Sequence, residues 1–138
     1  MTTQTMHVKP ITLALALALV SNMALAEWTK VSASEDGKVS QYADITTRRP
    51  VGSNVQLRTM TDYLEAQEIS AGKTFRSVTM QDEFNCEEGS GRHLSLVAKS
   101  DNMGEGKTVA VEMKPAPVRP IREGSADVEM LKFACARN

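Results

Sequence analysis

From Thr74 to Cys86 the chain changes character at almost every residue. Val78, Met80, Phe84 and Cys86 fall on one side of an extended backbone, and Ser77, Thr79, Gln81, Glu83 and Asn85 fall on the other. A period of two rules out a helix, whose apolar positions recur every three or four residues, and it requires a sheet with one buried face. Asp82 stands among the apolar residues, where an unpartnered carboxylate is costly. A bulge, a sheet edge or an arginine partner is expected at that point.

Weaker alternation groups Val55 with Leu57, then Leu94 with Leu96 and Ala98, then Val109 with Val111 and Met113. Trp28 to Ala33 and Val39 to Ile45 flank Asp36-Gly37, a tight-turn pair in which both residues tolerate positive φ, so they read as a hairpin. All eight glycines punctuate the runs between candidate elements. The sequence therefore predicts an antiparallel meander sheet of about six strands with one apolar and one wet face.

Near the C-terminus the period changes. Beyond Pro115, Pro117 and Pro120, which oppose a continuous strand, Ser125 can cap a helix over Ala126 to Cys135. Asp127 suits the positive first turn, and Val128, Leu131 and Cys135 share one stripe. Such a helix covers the apolar face of the sheet. The fold class is thus α+β, sheet plus one C-terminal helix packed on its apolar side.

The first 26 residues have the plan of a secretory leader: Lys9, then the apolar run from Ile11 to Val20, then Ala24-Leu25-Ala26. Ten helical residues span ~15 Å, about half of a ~30 Å hydrocarbon core, so a stable membrane span is not expected. Cleavage is expected between Ala26 and Glu27, leaving residues 27–138 as one domain; an uncleaved membrane tether is the alternative. The run is followed by no cysteine that could accept a lipid, which predicts an exported protein of the periplasm, the outer surface or the medium, not lipid-anchored.

All 17 acidic residues and every basic residue except Lys9 follow the leader, so the domain is nearly neutral. With 41% hydrophobic and 24% charged residues, the chain is neither disordered nor a basic nucleic-acid binder. Cys86 and Cys135 both lie in the exported part, where an even count reads as a disulfide. The strand and helix periods turn both toward one core. A zinc site would need ligands beyond two cysteines and His93, and a redox pair is normally closely spaced. No metal and no cofactor are expected.

Candidate chemistry is sparse. Gly104-Glu105-Gly106-Lys107-Thr108 ends like a phosphate loop, but Asp101 occupies the place of its first glycine and strand residues follow, so a hairpin turn is expected. His93 is the only histidine outside the leader, and alternation from Leu94 puts it on the polar side, opposite Asp82. A small hydrolase built on Asp82 and His93 is therefore a poor alternative, and the protein is not expected to be an enzyme. Arg48-Arg49 before Pro50 is a tentative cationic binding site for a sulfated polymer or an acidic protein, with an ordinary solvated turn as the alternative.

The order Trp28, Asp36-Gly37, Tyr42-Ala43-Asp44, Arg48-Arg49, Asp62-Tyr63, Phe84-Asn85-Cys86, Arg92, Met103-Gly104-Glu105-Gly106, Pro120, Gly124-Ser125 and Cys135 resembles the surface-adhesin protein E family over essentially the whole of residues 27–138. Arg58 stands where the family leads one to expect tryptophan, and Asn85 where it leads one to expect aspartate. The resemblance implies an antiparallel sheet with a disulfide-held C-terminal helix. It also implies a binding module of the bacterial envelope, a monomer or homodimer, with host extracellular-matrix or serum proteins as partners. A periplasmic structural or ligand-binding protein is the alternative.

Overall fold

The computed structural model describes residues 2–4, 6 and 25–136; the apolar run of the expected leader lies outside them. Six strands follow one another as a meander: β1 (Trp28–Ala33), β2 (Val39–Val51), β3 (Asn54–Ser70), β4 (Lys73–Asn85), β5 (Ser90–Lys99) and β6 (Thr108–Glu112). Each pairs antiparallel with the next. A two-residue strand, β7 (Arg119–Pro120), pairs with the start of β5, and helix α1 (Val128–Cys135) closes the chain. Among the described residues no helix is long and apolar enough to cross a membrane.

Helix α1 lies on one face of the sheet. Its Met130 and Ala134 meet Ala43, Leu57 and Phe84 in the core, with Val31, Ile121, Leu131, Phe133 and Cys135 packed around them. The helix starts later than the sequence suggests, because residues 124–127 form a turn in which Val128 N donates to the Ser125 carbonyl. Ser125 is therefore not the cap. The buried stripe is Met130 and Ala134 rather than Val128, Leu131 and Cys135. Cys86, in the turn after β4, is disulfide-bonded to Cys135, and Arg48 Nε donates to the Ala134 carbonyl at the helix end. An eight-residue helix is too short to persist unaided. These two links and the apolar contacts hold it.

Bulges decide which side chains reach that face. Between Asp44 and Arg49, β2 carries extra residues opposite β3. Thr46 N and Oγ1 donate to Asp44 Oδ1, Thr47 Oγ1 donates to the Asp44 carbonyl, and Arg58 N donates to Thr47 Oγ1. This packing carries β2 on to Val51, beyond the expected end at Ile45. In β5, Gln81 pairs with Ser95 but Asp82 pairs with His93, which leaves Leu94 as the extra residue. Leu96 and Ala98 keep the expected parity; Leu94 does not share it. A similar shift at Val109 in β6 puts Val111 opposite Val97. Val111 and Met113 are consequently exposed, at 54% and 69%.

The other face is not uniformly wet, as alternation alone suggests. A short 3-10 turn, Asn102–Gly104, docks on it. Asn102 Nδ2 and Met103 N donate to Asp62 Oδ1, and Asn102 Nδ2 also donates to the Tyr63 carbonyl. Ser77 Oγ donates to the Asp101 carbonyl and accepts from Gly104 N. Ser77 and Met60 are fully buried as a result. The chain then enters β6 at Thr108, so the Gly-Lys-Thr stretch leads into a strand as expected.

Candidate functional site

Between α1 and the sheet the fold leaves a cleft of about 320 Å³. The helix is too short to cover all the apolar face, and the segment from Arg119 to Asp127 forms the rim. Val39, Val78, Met80, Phe84, Ile121 and Met130 give apolar walls. At one end stand Asp82 and His93.

Sequence alternation places these two on opposite faces; the structure puts them together, with His93 Nδ1 2.6 Å from Asp82 Oδ1. The cause is the extra residue Leu94, which reverses the parity of β5 on its N-terminal side and turns His93 toward Asp82. A carboxylate only accepts, so Nδ1 carries the proton it shares. Thr59 Oγ1 donates to Asp82 Oδ2 at 2.7 Å. Asp82, only 5% exposed, is thereby bonded through both oxygens. Of the expected resolutions of its burial, a bulge, a sheet edge or an arginine partner, none holds for Asp82 itself: it stays buried on a central strand, and a bulge in the neighbouring β5 brings it a histidine.

The hydrogen bond to Asp82 raises the His93 pKa above its usual value; desolvation opposes this, and the Asp82 charge adds to it. Arg119 lowers the value and Asp127 raises it further, and both line the same cleft as His93. These two form their own ion pair, Arg119 NH2 to Asp127 Oδ2, at 2.6 Å. Burial alone raises the pKa of Tyr63, farther along the cleft, whose ring meets Phe75 edge-on.

A histidine oriented by aspartate is the base half of a nucleophilic triad. The other half is absent among the described residues, since no hydroxyl donates to His93 and both cysteines are joined. The sequence had no signal for Thr59, Arg119 or Asp127 as members of this group. Asp82 was itself the signal, a carboxylate out of phase with its strand.

The tentative cationic site is divided. Arg48 is half-buried and holds the end of α1, whereas exposed Arg49 reaches across the other face, where Nε and NH2 donate to Gln56 Oε1. The row continues as Gln56 Nε2 donates to Glu83 Oε2 and Arg92 pairs with Glu83 Oε1. Beside it Arg58 lies over the Trp28 ring, 5.2 Å from its centre. Ala26 and Glu27, the expected cleavage pair, lie in irregular chain just before β1.

The profile of one family, described as Surface-adhesin protein E, matches residues 28–136, from the start of β1 to just past α1. The chain belongs to the surface-adhesin protein E family. No curated protein matches it by sequence. Crystal form II of Haemophilus influenzae protein E is similar with a TM-score of 0.60 and 11% identity, covering 77% of this chain and 86% of that one. The protein E structure from non-typeable Haemophilus influenzae gives 0.53 and 11%, covering 78% and 82%. At such identities the likeness is one of fold, and it has the antiparallel sheet and C-terminal helix seen here. Membership brings with it a surface-adhesin role and export.

Proposed function

We propose that residues 27–138 act as a non-enzymatic binding module of the bacterial envelope that attaches to host extracellular-matrix or serum proteins. The observation that carries this reading is the family match across the entire domain, from β1 to the end of α1. The leader, cleaved after Ala26, delivers it to the outer surface without a lipid anchor. Exposed Arg49, beside Arg48, supplies a cationic contact for an acidic partner.

Retention of the folded domain on a panel of immobilised matrix and serum proteins tests the reading, with Arg49→Ala measured at two salt concentrations. Arg48 is left intact because it holds the helix. Binding that weakens with salt in the parent and less so in the variant supports the cationic contact. Retention on no member of the panel, or surface labelling that finds the protein only inside the outer membrane, favours the periplasmic alternative.

The convergence of Asp82 and His93 gives the hydrolase reading one observation in its favour, a histidine base able to act on water. Ester hydrolysis by the purified domain, lost in His93→Asn, is the result that would carry it over adhesion.

A further inference from the structure

The cleft beneath α1 contains chemistry that the fold does not need. Apolar residues of similar volume at 82 and 93 would close this end of the core, and an ion pair whose carboxylate is buried while its histidine is a third exposed is weak evidence of stability. The cleft also has the character of a ligand pocket: apolar walls, a few convergent polar groups, and a volume at the small end of the usual range of about 300–1,000 Å³.

Which ligand fits follows from the groups with unused capacity. Asp82 already accepts a hydrogen bond on each oxygen and is only 5% exposed, so little of it is presented to a guest. No described residue bonds His93 Nε2, and Arg119 uses only NH2 toward Asp127. The vacant capacity is therefore for donation, held by an imidazolium and a guanidinium, and it calls for an anionic acceptor. The walls call for an apolar body.

We propose that this cleft binds a small amphipathic carboxylic acid, its apolar part against Val78, Met80, Phe84, Ile121 and Met130 and its carboxylate meeting His93 Nε2 and Arg119. The site is independent of host-protein attachment. Binding requires the imidazolium, because neutral His93 keeps its proton on Nδ1 and presents a lone pair at Nε2. The charged and titratable groups facing it are Asp82 on β4, Arg119 on β7 and Asp127 ahead of α1, with Tyr63 of β3 farther along the cleft; α1 itself contributes Met130. Asp82 favours the charged ring, and a bound carboxylate adds to that, so the acid and a proton bind together.

The probe is 3-phenylpropionate, with 3-phenyl-1-propanol as the uncharged control, titrated into the disulfide-intact domain. His93 is the only histidine after the leader, so its ring C2–H resonance reports the site without ambiguity. The acid should bind about tenfold or more tightly than the alcohol at pH 6, weaken about tenfold by pH 8, and raise the His93 pKa at saturation. His93→Asn, which can still donate to Asp82, should abolish the pH dependence. Arg119→Ala alters an exposed side chain and should weaken the acid but not the alcohol; it decides the matter if His93→Asn does not fold. A His93 resonance unmoved by millimolar acid, equal affinity for acid and alcohol, or unchanged binding in Arg119→Ala would overturn the proposal.

Discussion

Removing the Cys86–Cys135 bond, by reduction or as Cys86→Ala/Cys135→Ala, should strike the helix before the sheet. The bond joins residues 49 apart. In the chain-entropy account, releasing a loop of that size returns about 4 kcal/mol of freedom to the unfolded chain, nearly a thousandfold in the unfolding equilibrium. That is a large share of the net stability of a domain this small. The structure also predicts where the effect appears first. Without the bond, α1 is held by Met130, Ala134 and the Arg48 contact, while β2 to β5 keep their long antiparallel ladders, interrupted only at the bulges. Urea denaturation with and without reductant should show a midpoint shift worth up to about 4 kcal/mol. Hydrogen exchange resolved by peptide should show residues 126–136 losing protection at denaturant levels where β3 and β4 remain protected. An unchanged midpoint, or protection lost simultaneously across the sheet, would refute the view of the bond as the staple of an otherwise self-sufficient meander.

Leu57→Ala empties a site with no solvent exposure between Ala43, Phe84 and Met130, and should cost about 2.7–5 kcal/mol in urea denaturation at constant slope. Asp62→Ala removes the acceptor that anchors Asn102 and Met103, so amides 101–106 should exchange faster at a global cost of about 1–2 kcal/mol. Because folding raises the pKa of His93, its contribution to stability is fully present below its unfolded value, about 6.5, and is lost as pH rises through the higher folded value. Thermal melts from pH 5 to 9 should show that decline in the parent and not in His93→Asn; a parallel decline in both would place its origin elsewhere.

The broad architecture could be read from local patterns because alternation and turn chemistry act over a few residues. The run from Val78 to Phe84 marked a half-buried strand, Asp36-Gly37 marked a hairpin, and the two cysteines in an exported chain marked their bond. What escaped depends on insertions that change parity. Leu94 looks like one more member of an apolar series with Leu96 and Ala98, and nothing adjacent to it announces that it is surplus. Reading through it sent His93 to the wrong face. Thr59, Arg119 and Asp127 could not be assembled from sequence, since they come from three elements that only the folded sheet brings together. Arg48 and Arg49, alike as letters, face opposite ways as neighbours in a strand do, one to the end of the helix and the other to Gln56 of β3 on the far face.

That surplus residue in β5 also has an evolutionary consequence. Loss of the single codon for Leu94 would restore simple alternation and leave both pairings as they are, whereas taking Leu94 into the ladder opposite Asp82 would reverse every β5 side chain on its N-terminal side. In that slipped register Leu94 would stand beside Asp82, His93 would turn toward the row that Glu83 occupies, and Arg92 would lie opposite Phe84. Two ion pairs on opposite faces of the sheet, Asp82–His93 and Glu83–Arg92, are therefore inherited as one unit. Lineages of this domain should vary freely in the lengths of their hairpin turns and can lose Leu94 with both pairs kept, yet take a residue at that position into the ladder only where both pairs change together.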